Sequence, residues 1–337
     1  MRNPIVCCLV AALLITFAST LPAVAQTGAR AGQWHAYGGD SGNTKYSPLD
    51  QINRDNVKDL KIAWRWKSDN FGPAPEFVYE TTPLMVNGVL YTTAGRRRAV
   101  VALDAATGET LWFYRLDEGQ RGLNAPRRNS GRGLAYWTDG TNQTGGRIFL
   151  VTPGYHMVAI DAKTGAPVSG FGANGVVDLK QELDRPVDLV ETNIGSSSPP
   201  VVVGDVVVVG AALLAGSAPK SRENAPGFIR GYDVRTGKRL WIFHTIPQPG
   251  EFGHETWEGD SWRYTGNAGA WTMLAADQEL GTVYIPVEDA TGDYYGGHRL
   301  GNNLFSSSLV CLDAKTGRRI WHYQLIHHDI WDYDPAT

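Results

Sequence analysis

Cysteine is almost missing from this chain. Three occur in 337 residues, at Cys7, Cys8 and Cys311. The first two fall in an N-terminal segment that reads as removable, which leaves Cys311 alone and excludes an intrachain disulfide. No Cys-x-x-Cys-His haem site occurs. Charge of one sign is also lacking. The formal net charge is −3, which argues against a nucleic-acid partner. No amphipathic helical window of useful length stands out beyond the N-terminal segment, which argues against a helical fold. The apolar run Ile5 to Phe17 is short for a membrane span, with an uncleaved anchor the alternative to a leader. With Arg2 before it and Ala23-Val-Ala25 before Gln26, it has the make-up of a secretory leader. Residues 1–25 are therefore expected to be a signal peptide and 26–337 an exported, periplasmic domain. Loss of Arg2 would take the net charge from −3 to −4. Any association with a membrane is expected to come from another component.

What the chain has instead is a repeat. Ala102-Leu-Asp-Ala-Ala-Thr-Gly-Glu-Thr-Leu-Trp112 returns as Ala159-Ile-Asp-Ala-Lys-Thr-Gly165, as Gly231-Tyr-Asp-Val-Arg-Thr-Gly-Lys-Arg-Leu-Trp241 and as Cys311-Leu-Asp-Ala-Lys-Thr-Gly-Arg-Arg-Ile-Trp321. Self-similarity of this kind means one supersecondary unit is copied. The uneven spacing of Asp104, Asp161, Asp233 and Asp313 predicts long inserted loops, where binding residues tend to sit. Before the first copy, apolar runs flank Asn87-Gly88, a strong hairpin signal. Gly204-Asp205 plays the same part before the third copy. An apolar strand such as Ala99–Leu103 leads into each copy, Asp-x-x-Thr-Gly makes a turn, and a strand such as Thr110–Tyr114 closes the unit. Four antiparallel strands per repeat predict an all-β propeller blade. Trp112, Trp241 and Trp321 occupy one equivalent position and are expected to pack between blades. The second copy has Ser169 there, so one junction should pack differently.

Together these residues resemble the pyrroloquinoline quinone (PQQ)-dependent dehydrogenases, exported eight-bladed propellers that carry the Asp-x-x-Thr-Gly-x-x-x-Trp motif. The likeness runs from Trp34-His-Ala-Tyr-Gly-Gly-Asp-Ser-Gly-Asn-Thr-Lys-Tyr-Ser47 to the end. Gly227-Phe-Ile-Arg-Gly-Tyr-Asp233, Asp293-Tyr-Tyr-Gly-Gly-His-Arg299 and His327-His-Asp-Ile-Trp-Asp332 resemble the glucose-dehydrogenase branch. The resemblance covers only the N-terminal half of that family. It implies a PQQ cofactor and Ca2+, a sugar or alcohol substrate, and a membrane quinone or cytochrome as electron acceptor. It implies that Glu80 contacts a PQQ carboxyl, Arg132 pairs with PQQ, Ser197 bonds the cofactor and Trp271 stacks on its ring. Guanidinium suits a tricarboxylate, and an indole face suits a flat quinone.

Departures from the alcohol-oxidising branch are visible. Val209-Gly-Ala-Ala-Leu-Leu-Ala215 lacks the calcium-binding Glu of that branch, and Asn302 stands where it has its general base. An amide cannot take a proton. The vicinal cysteines of methanol-oxidising relatives are also missing, with Pro126-Arg127 in that region. In the glucose branch the catalytic Asp lies further along, so it is expected beyond Thr337, and these residues alone are expected to be inactive and poorly soluble. Asp293, with Asn303 nearby, matches a calcium-ligand position. His327-His328, read as strand neighbours, would point to opposite faces and chelate poorly. The carboxylate- and aromatic-rich run Glu251–Trp262 suits either a site-facing loop or a solvated blade connection. A non-catalytic assembly propeller would share the blades but has no need of Glu80, Arg132 and Trp271 together.

Overall fold

The computed structural model describes residues 28–29, 32–68, 76, 78–141, 146–213 and 222–333. The expected leader, Cys7 and Cys8 lie outside them. The described residues form four four-stranded antiparallel sheets, each with its strands in sequence order. The first blade is β1 (Leu84–Val86), β2 (Val89–Ala94), β3 (Ala99–Asp104) and β4 (Thr110–Tyr114). The second is β5 (Ala135–Trp137), β6 (Arg147–Val151), β7 (His156–Asp161) and β8 (Val176–Asp178). The third is β9 (Val201–Val203), β10 (Val206–Val209), β11 (Ile229–Asp233) and β12 (Arg239–Phe243). The fourth is β13 (Ala275–Asp277), β14 (Thr282–Val287), β15 (Ser308–Asp313) and β16 (Arg319–Gln324). The fold is a β-propeller of four-stranded blades, as the repeat predicts.

Each turn in the repeat has a visible cause. Asn87 and Gly88 both adopt positive φ, 50° and 83°, which closes the β1–β2 hairpin without splaying its strands. In the Asp-x-x-Thr-Gly turn the aspartate accepts from the amides that follow. Asp104 Oδ1 takes Ala106 N at 3.0 Å, Thr107 N at 2.8 Å and Thr107 Oγ1 at 2.9 Å. Asp161 and Asp233 repeat all three bonds, and Asp313 takes the amide and hydroxyl of Thr316.

The middle strands are buried on both faces where another blade, or for the first blade the Trp64–Trp66 segment, covers each side. On β3, Val100 and Ala102 join the cluster shared with the second blade, while Val101 and Leu103 face Trp64 and Trp66. Phe149 and Met157 of the second blade pack with Val207 and Tyr232 of the third.

Two of the three repeat tryptophans bridge blades as expected, whereas Trp321, on the outer strand of the last described blade, is 41% exposed and meets no following repeat turn among the described residues. Trp112 donates its indole N–H to Ala162 O at 3.2 Å, and a Cβ on Gly165 would meet its ring at 2.6 Å. Trp241 donates to Ala314 O at 2.9 Å and covers Gly317 in the same way. Trp64, ahead of the first blade, donates to Ala105 O at 3.2 Å and covers Gly108. Each indole lies on the glycine of the next repeat turn, where any side chain would collide. Across the second junction, Val177 and Phe171 lie against Gly237, and Gly172 N donates to Thr236 O at 2.8 Å. Ser169 is exposed, and the outer strand β8 begins only at Val176. His327 and His328 do not lie on a strand, as the sequence suggested. β16 ends at Gln324, and the pair sits in a turn with His328 at φ 49°.

Candidate active site

Four residues singled out in the sequence stand at equivalent places in four blades. Glu80 lies four residues before β1, Arg132 three before β5, Ser197 four before β9 and Trp271 four before β13. These are the innermost strands, so their entry loops meet at one end of the propeller axis. Backbone and side-chain bonds tie the loops in a row. Thr82 N donates to Arg132 O at 3.0 Å, Arg132 N to Ser197 O at 2.7 Å and Ser198 Oγ to Trp271 O at 2.5 Å.

The side chains converge as well. Arg132 Nη1 donates to Ser197 Oγ at 2.6 Å, and Nη2 lies 3.1 Å from Glu80 Oε2. Its guanidinium carbon stands 5.0 Å from the centroid of the Trp271 ring, a cation–π contact. Ser197 is buried, whereas the Glu80 side chain is 40% exposed. Glu80 therefore reaches the site through Arg132 and leaves one edge open to solvent. A flat face, a fork of N–H donors and a hydroxyl in one place can hold a planar polycarboxylate.

Beside Trp271 lies an acidic group that sequence reasoning missed. Glu288 N donates to Gly269 O at 2.9 Å and Ala268 N to Asp289 O at 3.0 Å, which fixes this pair against the segment that carries Trp271. Both acids are buried. Burial pushes the Asp289 carboxyl up to about 9, and the nearby Asp293 and Glu288 add to the shift. Asp289 Oδ2 has no hydrogen-bond partner among the described residues. A hard cation would satisfy that oxygen. Among the described residues no three His, Cys, Asp or Glu side chains are arranged to hold an ion by themselves. An ion here would need further oxygens from a bound ligand. Two adjacent acids at the end of an apolar strand were the available signal, but burial is not local information.

Asp293 is half-buried near Asp289. Asn303 is committed elsewhere. Its carboxamide oxygen accepts from Arg299 Nη1 at 2.8 Å, and its Nδ2 donates to Arg299 O at 2.7 Å. It shapes the loop around a buried arginine. Asn302 is exposed. Of the Glu251–Trp262 run, Trp257 is buried and donates to Leu304 O at 2.5 Å, and Glu251 lies 2.8 Å from His244 Nδ1. Both contacts tie the loop to its own neighbourhood. A cavity of about 760 Å³ opens toward the other end of the axis, lined among others by Trp137, Asp139, Asp205 and Gln278. It does not include the four converging residues.

The family model for the β-propeller domain of PQQ glucose/ethanol/alcohol dehydrogenases matches residues 34–337. The chain is 34% identical over 312 residues to the glycerol dehydrogenase large subunit of Gluconobacter oxydans, covering 90% of this chain and 40% of that protein. It is 31% identical over 341 residues to quinoprotein glucose dehydrogenase A of Acinetobacter calcoaceticus, covering 94% of this chain and 40% of that one. A solved quinohemoprotein alcohol dehydrogenase from Pseudomonas putida superposes with a TM-score of 0.74 at 31% identity, over 91% of this chain and 42% of that one. The chain thus spans about 40% of the length of the curated relatives it matches. With its repeated blades and its family match over nearly all the described residues, the chain belongs to the PQQ-dependent dehydrogenase β-propeller family.

Proposed function

We propose that the protein is a PQQ-dependent oxidoreductase that oxidises a hydroxyl group of a sugar or alcohol. The observation that carries the reading is the convergence of Arg132, Ser197, Glu80 and Trp271. When bound, PQQ supplies the two-electron acceptor that takes hydride from the carbinol carbon. Trp271 would offer the stacking face. Arg132 and Ser197 would hold carboxylates, with Arg132 leaving its place over the indole to do so. Glu80 orients Arg132 from the solvent side. Calcium fits beside Asp289 and Asp293 as a cation that completes its shell with cofactor oxygens. It would take the place of the proton that burial otherwise keeps on the Asp289 carboxyl. Asn302 does not take the substrate proton, because an amide has no basic lone pair to accept it. Export rests on the leader sequence, and a membrane quinone or a cytochrome is the proposed electron acceptor.

The test is dye-linked oxidation by the full-length protein with PQQ and Ca2+, against aldoses, polyols such as glycerol and primary alcohols. Turnover that requires added PQQ is expected with at least one class. Absence of PQQ-dependent turnover across all of them would overturn the reading.

A further inference from the structure

Arg98 is fully buried, and all five of its N–H donors are used. Nε donates to Asn129 O at 3.1 Å. Nη1 donates to Val151 O at 2.8 Å and to Ser196 O at 2.5 Å. Nη2 donates to Arg127 O at 2.7 Å and to Asn129 Oδ1 at 3.2 Å. None of these partners is a carboxylate. Neutral acceptors satisfy the hydrogen bonds but do not cancel the charge, and a buried charge is ordinarily paired. Burial draws its pKa down to about 10, opposed by the more distant Glu118 and Glu76, with Arg132 and Arg127 nearby adding to the depression. It therefore stays cationic at neutral pH.

The positions of its partners matter more than their number. Arg127 and Asn129 belong to the loop that carries Arg132, and Ser196 precedes Ser197. Gly131, between them, has φ +73°, and a Cβ there would meet Arg98 Nε at 2.8 Å and Ser197 O at 2.9 Å. The loop lies flat on the guanidinium. One buried side chain from the β2–β3 turn of the first blade thus clamps the site loops of the second and third.

We propose that Arg98 is a positioning residue for the PQQ site: it ties the Arg132 loop to the Ser197 loop and sets a positive charge with no direct carboxylate partner behind the point where carboxylates bind. The inference rests on the PQQ reading and deepens it.

Asn129→Asp separates the charge role from the structural one. It keeps both acceptor contacts, to Arg98 and to Gly131 N, but puts a carboxylate against the buried cation. Thermal stability should hold or rise, while PQQ affinity, read by tryptophan fluorescence on the full-length protein, should fall by roughly tenfold, within the range of coupling between contacting groups. The trimethyl ester of PQQ, which carries no carboxylate charge, should bind variant and wild type alike. Arg98→Lys keeps the charge but has only three donors, and it should also weaken PQQ, with little added loss when combined with Arg132→Lys. Unchanged PQQ affinity in Asn129→Asp, or an equal loss for PQQ and its ester, would reduce Arg98 to a purely structural tie. If the wild type binds no PQQ, the reading of the site falls, and this inference with it.

Discussion

Arg132 touches a hydroxyl, a carboxylate and an indole at once, and that crowding decides what each substitution should do. Its pairing with the half-exposed Glu80 is of the kind worth about 0–1 kcal/mol to folding. Arg132→Lys keeps charge but loses the planar fork. It should therefore weaken PQQ binding well before it lowers the melting temperature. A drop in stability with cofactor affinity intact would make Arg132 a structural ion pair. Trp271→Ala removes a stacking face worth about 0.5–1.5 kcal/mol beyond area burial, so a several-fold loss of PQQ affinity is expected by equilibrium titration. Asp289 yields a prediction in pH. Its folded pKa is raised to about 9, so the folded state keeps a proton that the unfolded chain releases above about 4. Stability from this group falls as pH rises between those values, by up to about 1.4 kcal/mol per unit. Asp289→Asn lacks that dependence. In EDTA the variant should gain in melting temperature over wild type at pH 8 relative to pH 5. A difference that does not change with pH would show that Asp289 is ionised in the folded protein.

At the scale of the element, the repeat turn is where sequence and packing meet. Gly165 and Gly88 both hold positive φ, 74° and 83°. A Cβ at Gly88 meets open space, whereas at Gly165 it meets Trp112. Gly88→Ala should cost only the left-handed penalty of about 1–2 kcal/mol. Gly165→Ala should cost about 1–3 kcal/mol more for overpacking, measured by denaturant unfolding. Equal costs would mean that the indole does not depend on the glycine. The same elements show what the sequence made legible. The β1–β2 hairpin, the Asp-x-x-Thr-Gly turn and the Trp112 and Trp241 positions are local patterns, and each stands where it was expected, while Trp321 is exposed for want of a following blade among the described residues. The second blade was placed by its Asp-x-x-Thr-Gly turn, but without the tryptophan its outer strand could not be, and that strand starts late, at Val176. Arg96, Arg97 and Arg98 are three like residues in one turn. Only the fold of three blades around Arg98 buries that one, so no local rule could choose it. Asp289 escaped for the same reason. The four converging residues were legible through family resemblance, and their place three or four residues before the innermost strands is the geometric reason they meet.

Across the whole molecule, blade rotation brings four distant entry loops, from Glu80 to Trp271, to one end of a common axis. The flat face, the fork and the hydroxyl come from three different blades, so the proposed site is a property of the packed blades together. The measurement closest to that claim is an equilibrium titration of the full-length protein with PQQ, followed by tryptophan fluorescence and repeated on Ser197→Ala, Trp271→Ala and Arg132→Lys. One saturable site with quenching is predicted, weakened by each substitution although the three residues come from three different blades. Tight PQQ binding that none of the three substitutions alters would contradict the account and place the cofactor elsewhere in the protein.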